Sequence, residues 1–197
     1  MLGSRPDIGD RVPLAESVVT NALHAFEGQD WTRLIALTDA GSLVTLKTMY
    51  LQQKRWLLAQ RPPFDAADLA SPDIPADIKE WALNRRQFGE LAGITTLDHA
   101  ESLEHAEFLM RWAQARHPQY LVDGIAPWHP GDSLVRREVI GSVALLPDTV
   151  AVLVRATEVH AFNTLGGLSM IAVLGDNAGG WELDASSGWL GLADGFL

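Results

Sequence analysis

The sequence predicts an α+β fold, with N-terminal helices packed on a C-terminal antiparallel sheet of about four strands. Three observations predict it. Apolar residues recur at helical spacing in almost every patterned segment before Pro130. After Pro130 the pattern becomes short β-branched runs separated by turn residues. The two kinds of segment do not alternate along the chain, which disfavours a parallel βαβ sheet.

The first helix is expected over Leu14 to Phe26, where Leu14, Val18, Ala22, Ala25 and Phe26 form one stripe. Pro13 stands near its first turn, where a missing N–H is tolerated, and Gly28 is its stop. In "GQDWTRLIALTD", Asp30 caps a second helix with Trp31, Leu34 and Ile35 inward and Gly41 at its end. A third helix is expected over Leu43 to Gln60, with Leu46, Tyr50 and Leu57 inward and Lys47, Lys54 and Arg55 outward. "RPPFDAADLASPDIPAD" is a connector, because Pro62, Pro63, Pro72 and Pro75 forbid a continuous helix. A fourth helix fits Ala76 to Leu91, with Ile78, Trp81, Ala82, Arg85 and Phe88 along one side. A fifth fits Leu97 to Ala115, with Leu103, Ala106, Leu109, Met110 and Ala113 inward. "RHPQYLVDGIAPWHPGD" is a second connector.

Four strands follow: "SLVRREVIGSVALL", "VAVLVRATEVH", "LSMIAVLG" and "WELDA", broken at "PDT", "AFNTLGG" and "DNAGG". They read as an antiparallel meander. The whole chain is read as a single α+β domain: helices over 14–45, a helical elaboration over 46–130, the meander over 132–186 and a tail over 187–197.

Composition narrows the function classes. The chain has 197 residues, 47% of them apolar and 20% charged, which suits a globular domain with a real core. A formal net charge of −10 disfavours nucleic acid and anionic membrane surfaces as partners. With no cysteine, disulfides, thiolate metal sites and cysteine nucleophiles are excluded. No apolar run approaches the roughly 18 to 20 residues that cross a bilayer. "MLGSRPDIGDRVPL" lacks the apolar core of a secretory signal, so a cytoplasmic location is expected.

The glycine-rich "LGDNAGGWELD", Leu174 to Asp184, invites a ligand loop. A phosphate loop needs GK[ST] and a following helix, and neither is present. A calcium loop needs oxygen ligands at alternate positions and a closing Glu; Asp176, Glu182 and Asp184 are too few and ill spaced. The segment reads as a hairpin turn, with Gly175, Asn177, Gly179 and Gly180 tolerating positive φ.

With "EGQDWTRLIALTD" closing the first helix pair and "GGWELD" closing the meander, the chain resembles the nuclear-transport-factor-2-like superfamily. The likeness rests on Gly28 to Trp31 and Gly179 to Trp181 and covers roughly residues 14 to 45 and 132 to 186. It implies a cone-like fold with a curved sheet, in which Leu46 to Pro130 is a helical insertion over the mouth of the cone. Relatives include SnoaL-like cyclases, ketosteroid-isomerase-like enzymes, dehydratases, transport adaptors and domains without assigned chemistry, so membership does not choose a function.

Four places carry chemistry-bearing residues. "DHAESLEHAE", Asp98 to Glu107, sets Glu101 and His105 one helical turn apart, but matches no helical metal motif and reads as a solvated acidic face. No metal and no cofactor is expected. His160, at the end of a strand bearing Glu158, and Asp184, beside Glu182, are the candidate catalytic acid–base groups. Tyr50, Tyr120, Trp128 and Arg155 are the candidate ligand-binding residues, Arg155 pointing away from the Val150, Val152 and Val154 face. Trp31, Trp81 and Trp181 read as core, whereas Trp128 and Trp189 lie in loops. GxSxG is absent, and Ser169 lies within a strand.

The two inner strands are apolar on both faces: Val150, Val152 and Val154 alternate with Ala151 and Leu153, and Leu168, Met170 and Leu174 with Ile171 and Val173. A sheet with one wet face alternates apolar with polar. This sheet needs cover on both sides, from helices on one and from "GWLGLADGFL" or a second subunit on the other, and a homodimer through the outer face is expected. The leading reading is non-catalytic binding of an apolar small molecule or a protein partner. The alternatives are a cyclase, isomerase or dehydratase using His160 or Asp184 as base, and an acidic interaction or inhibitor protein.

Overall fold

The computed structural model describes residues 8–60, 66–76, 78–79, 88, 91–117, 134–159, 164–175 and 180–187. Helices come first: α1 (Ile8–Glu27), α2 (Trp31–Ala36), α3 (Ala40–Ala59), α4 (Ala66–Ala70), α5 (Leu97–Ser102) and α6 (His105–Ala115). The sheet follows, with β1 (Leu134–Leu146), β2 (Thr149–Val159), β3 (Thr164–Gly175) and β4 (Trp181–Leu183). Each strand pairs antiparallel with the next in the order β1-β2-β3-β4, and the sheet is open. The fold is α+β, as the segregated patterning predicts. Among the described residues no helix is long and apolar enough to cross a membrane.

α1 begins at Ile8, so Pro13 lies inside it rather than at its first turn and costs one helical hydrogen bond. Its end is a Schellman turn: the Gln29 N–H donates to Phe26 O at 3.1 Å and the Asp30 N–H to Ala25 O at 2.8 Å. The left-handed residue there is Gln29, φ 57°, not the adjacent Gly28. Asp30 then caps α2 as expected, its carboxylate accepting from the Arg33 N–H at 3.0 Å. Gly41 does not end α2. Asp39 caps α3 by accepting from the Ser42 N–H at 2.6 Å, which places Gly41 in the first turn of α3.

Two further expectations about the helices are overturned. Lys47 and Lys54 do not point outward; they are only 9% and 1% exposed. The helix expected over Leu97 to Ala115 is two helices, because Leu103 and Glu104 adopt extended backbone between α5 and α6. One contact accounts for both findings. The Lys47 ammonium donates to the carbonyls of Glu101 and Leu103, so the end of α5 satisfies its carbonyls with a cation rather than with another helical turn. The break rotates the stripe of α6, which buries Phe108, Leu109, Trp112 and Ala113 and leaves Ala106 and Met110 only half-buried. Phe88 and Leu91 lie outside any helix, and most of the fourth expected helix falls outside the described residues.

The apolar side chains form two cores. In the first, Ala15, Val19, Ala22, Leu23 and Phe26 of α1 pack on Val150, Val152, Val154, Ile171 and Val173 of the sheet. In the second, Leu43, Leu46, Tyr50 and Leu51 of α3 pack on Phe108, Leu109 and Trp112 of α6. β4 joins them. The Leu183 N–H donates to Leu37 O at 2.8 Å, and Leu183 O accepts from the Asp39 N–H at 2.9 Å. Its side chain is fully buried in the first core, while Ala185, two residues on, belongs to the second. Leu183→Ala is therefore expected to cost about 2–5 kcal/mol of unfolding free energy, read as a lower urea midpoint at unchanged slope.

Candidate functional site

The candidate residues that the structure describes, Asp184, Tyr50 and Arg155, are not brought together. Asp184 follows β4, where its N–H donates to Ala172 O at 2.9 Å. Its carboxylate accepts from the Ser186 N–H at 2.9 Å and the Ser186 hydroxyl at 2.5 Å, so Oδ1 closes a local Asx turn. Tyr50 is buried, with its ring 5.4 Å from those of both Phe108 and Trp112 in edge-on contact. It is a core residue between α3 and α6. Arg155 lies on the far side of the sheet from α1, where Nη2 pairs with Glu138 Oε1 at 2.7 Å and both side chains are more than half exposed. His160, Tyr120, Trp128, Trp81 and Trp189 lie outside the described residues.

The acidic histidine stretch does not assemble a metal site. Glu101 accepts from Arg55 Nε at 3.0 Å and Nη2 at 2.8 Å. His105 opens α6 on the other side of the helix break, so the one-turn spacing to Glu101 is lost. Among the described residues no three His, Cys, Asp or Glu side chains are grouped to hold a metal ion. The glycine-rich turn joins antiparallel neighbours, with Gly175 opposite Trp181; residues 176–179 are outside the described set.

Sequence reasoning missed three buried polar groups. Lys47 is anchored on the α5 carbonyls. Lys54 lies over the rings of Tyr50 and Phe88, 5.6 and 5.5 Å from their centroids. His117 falls in the expected connector, yet it is buried beside Phe26 and Trp31, with ring centroids 5.4 and 5.9 Å away. Its Nε2 lies 3.4 Å from Glu27 O. Desolvation holds its pKa below the ordinary value, and the Arg137 charge pushes the same way against the Glu27 carbonyl. No local signal marks these groups: the partners lie on other elements, and helical spacing alone places a lysine at 47 or 54 with the polar face.

What the described residues do build is a surface. Val150, Val152 and Val154 face α1, so Ala151, Leu153 and Arg155 face the opposite way. The register carries that face across three strands: Val143 opposite Ala151 opposite Ala172, and Gly141 opposite Leu153 opposite Met170. Ile140 is skipped in the β1–β2 register, which is the bulge that brings Gly141 into the row. On this outer face Val143 is 48% and Met170 61% exposed, as is Leu146, opposite Thr149 beyond a second bulge at Leu145, at 60%. The two-sided apolar pattern of the sequence is thus one covered face and one on which Val143, Leu146 and Met170 are exposed, Leu153 is half-buried and Ala151 is buried.

Two outcomes follow from the buried polar groups. Lys47→Met strands two carbonyls at the end of α5 and is expected to destabilise the protein by about 1–3 kcal/mol in urea titration. His117 has a folded-state pKa below 6.5, so the unfolded chain takes up the proton first. Its contribution is complete above that value and is lost as the pH falls through 6.5 toward the folded-state pKa. Urea midpoints measured across that window are expected to fall more steeply for the wild type than for His117→Phe.

Compared with protein-family models, with curated proteins and with solved structures, the chain matches none.

Proposed function

We propose that this protein is a non-catalytic binding domain whose contact surface is the outer face of the β1–β3 sheet. The observation that carries the reading is the contiguous apolar face formed by Val143, Leu146, Leu153 and Met170. An apolar patch of this kind on a folded domain marks an interaction surface. Those candidate site residues that the structure describes support the same reading. The Asp184 carboxylate is engaged by its own turn, Tyr50 packs in a core, and Arg155 is neutralised by Glu138.

Nile red binding tests it. The dye is neutral, so an introduced aspartate acts by wetting the face and not by repelling a charged probe. At sub-micromolar chain concentration, Met170→Asp and Val143→Asp are each expected to weaken dye emission while far-ultraviolet circular dichroism stays unchanged. Dye binding indifferent to both substitutions in a folded chain would overturn the reading.

A further inference from the structure

We propose that the open edge of β3 is a strand-docking site, and that its occupant is this chain's own segment Trp189 to Gly195, added to the sheet as a fifth strand. The inference goes beyond the binding surface, because a sheet edge and a chain path carry it rather than an apolar face. β4 pairs with β3 only from Val173 to Gly175. The next rung is filled by the residues that follow β4. There the Asp184 N–H donates to Ala172 O at 2.9 Å, and the Ser187 hydroxyl accepts from the Ala172 N–H at 3.0 Å. Backbone groups alternate between the two sides of a strand, so those of Met170, Leu168, Gly166 and Thr164 point the same way as those of Ala172. Among the described residues nothing pairs with them. Such a row of donors and acceptors is a template for another strand.

The path of the chain selects the occupant. β4 runs antiparallel to β3, so the chain arrives at the Ala172 rung heading along β3 toward Thr164. One rung is two residues, which sets Trp189 opposite Met170, Gly191 opposite Leu168, Ala193 opposite Gly166 and Gly195 opposite Thr164. From Met170 to Thr164 the open edge is about 20 Å long, a length that seven extended residues span. Trp189 to Gly195 has no proline and one charge, Asp194, so each residue facing β3 has an N–H to donate. The two ends of the sheet differ accordingly. β1 carries Arg136, Arg137, Glu138 and two bulges, the features that keep a wet edge from pairing. β3 carries neither charge nor proline from Thr164 to Gly175, and its register with β2 is unbroken. Directly opposed residues share a face, so Trp189 joins the outer face beside Met170 and Leu190 falls on the α1 side.

Cysteine pairs in the full chain test the register, and the native sequence has no cysteine to interfere. Met170→Cys is combined in turn with Trp189→Cys and with Leu190→Cys. On mild oxidation the first pair is expected to close within one chain about tenfold or more faster than the second, whose Cβ points to the other face. Equal rates, or a faster second pair, would overturn the inference. So would a first pair that closes only between two chains, because the edge is then covered by another copy's segment. Hydrogen exchange is the second measurement and needs no substitution in the wild type. The Met170 and Leu168 amides are expected to exchange about tenfold or more slowly than in an unstructured chain, and Gly191→Pro, which removes the N–H facing Leu168, to release them. Unprotected amides in the wild type overturn the inference, and so does protection that Gly191→Pro leaves intact. Neither measurement reads the dye, so the fifth strand and the apolar surface stand or fall separately.

Discussion

Leu183 commits both of its backbone hydrogen-bonding groups to the segment between α2 and α3, and its side chain to the core beneath the sheet. On its other side β4 pairs with β3, with Leu183 opposite Val173. Three residues of strand therefore tie the α2–α3 segment to the sheet. The link is reinforced one step further on, where the Ser42 hydroxyl accepts from the Ala185 N–H at 3.0 Å and the Ser187 hydroxyl accepts from the Ala172 N–H at 3.0 Å. Ser42 is itself set by the Asp39 cap of α3. The start of α3 and the end of the sheet are thus one hydrogen-bonded unit, and β4 is an edge strand whose outer edge is occupied by helix-connecting backbone.

That arrangement explains where the buried cations sit. With α3 fixed at its N-terminus by the β4 unit, its remaining length must be covered by α5 and α6. Those elements bring an interrupted helix and the rings of Phe108 and Trp112 rather than a smooth apolar face. Lys47 meets the carbonyl end of α5, where a positive charge is favoured by the unsatisfied groups of a helix C-terminus. Lys54 meets the faces of Tyr50 and Phe88. Each stem is long enough to lie along the apolar surface while its head reaches an electron-rich partner. Burying a cation is costly unless such partners are present, so Lys47 specifies the packing of α3 on α5, and Lys54 that of α3 on Phe88, more narrowly than aliphatic residues would.

The parts of this fold legible in the sequence are those set by nearest neighbours. The four strands, the Asp30 cap and the reversal between β3 and β4 each follow from alternation, a capping side chain or turn residues within a few positions. The parts that were not legible depend on distant partners. Leu97 to Ala115 has one continuous helical stripe, yet a lysine some fifty residues earlier terminates its first third. Gly41 looks like a helix stop until Asp39 is seen to start another helix. His117 sits in a proline-flanked connector, and only the meeting of α1, α2 and α6 buries it. The candidate site divides the same way. The apolar outer face was readable as a violation of alternation, but the separation of Tyr50 from Arg155 was not, because spacing along a chain does not say which side of a sheet a helix will cover.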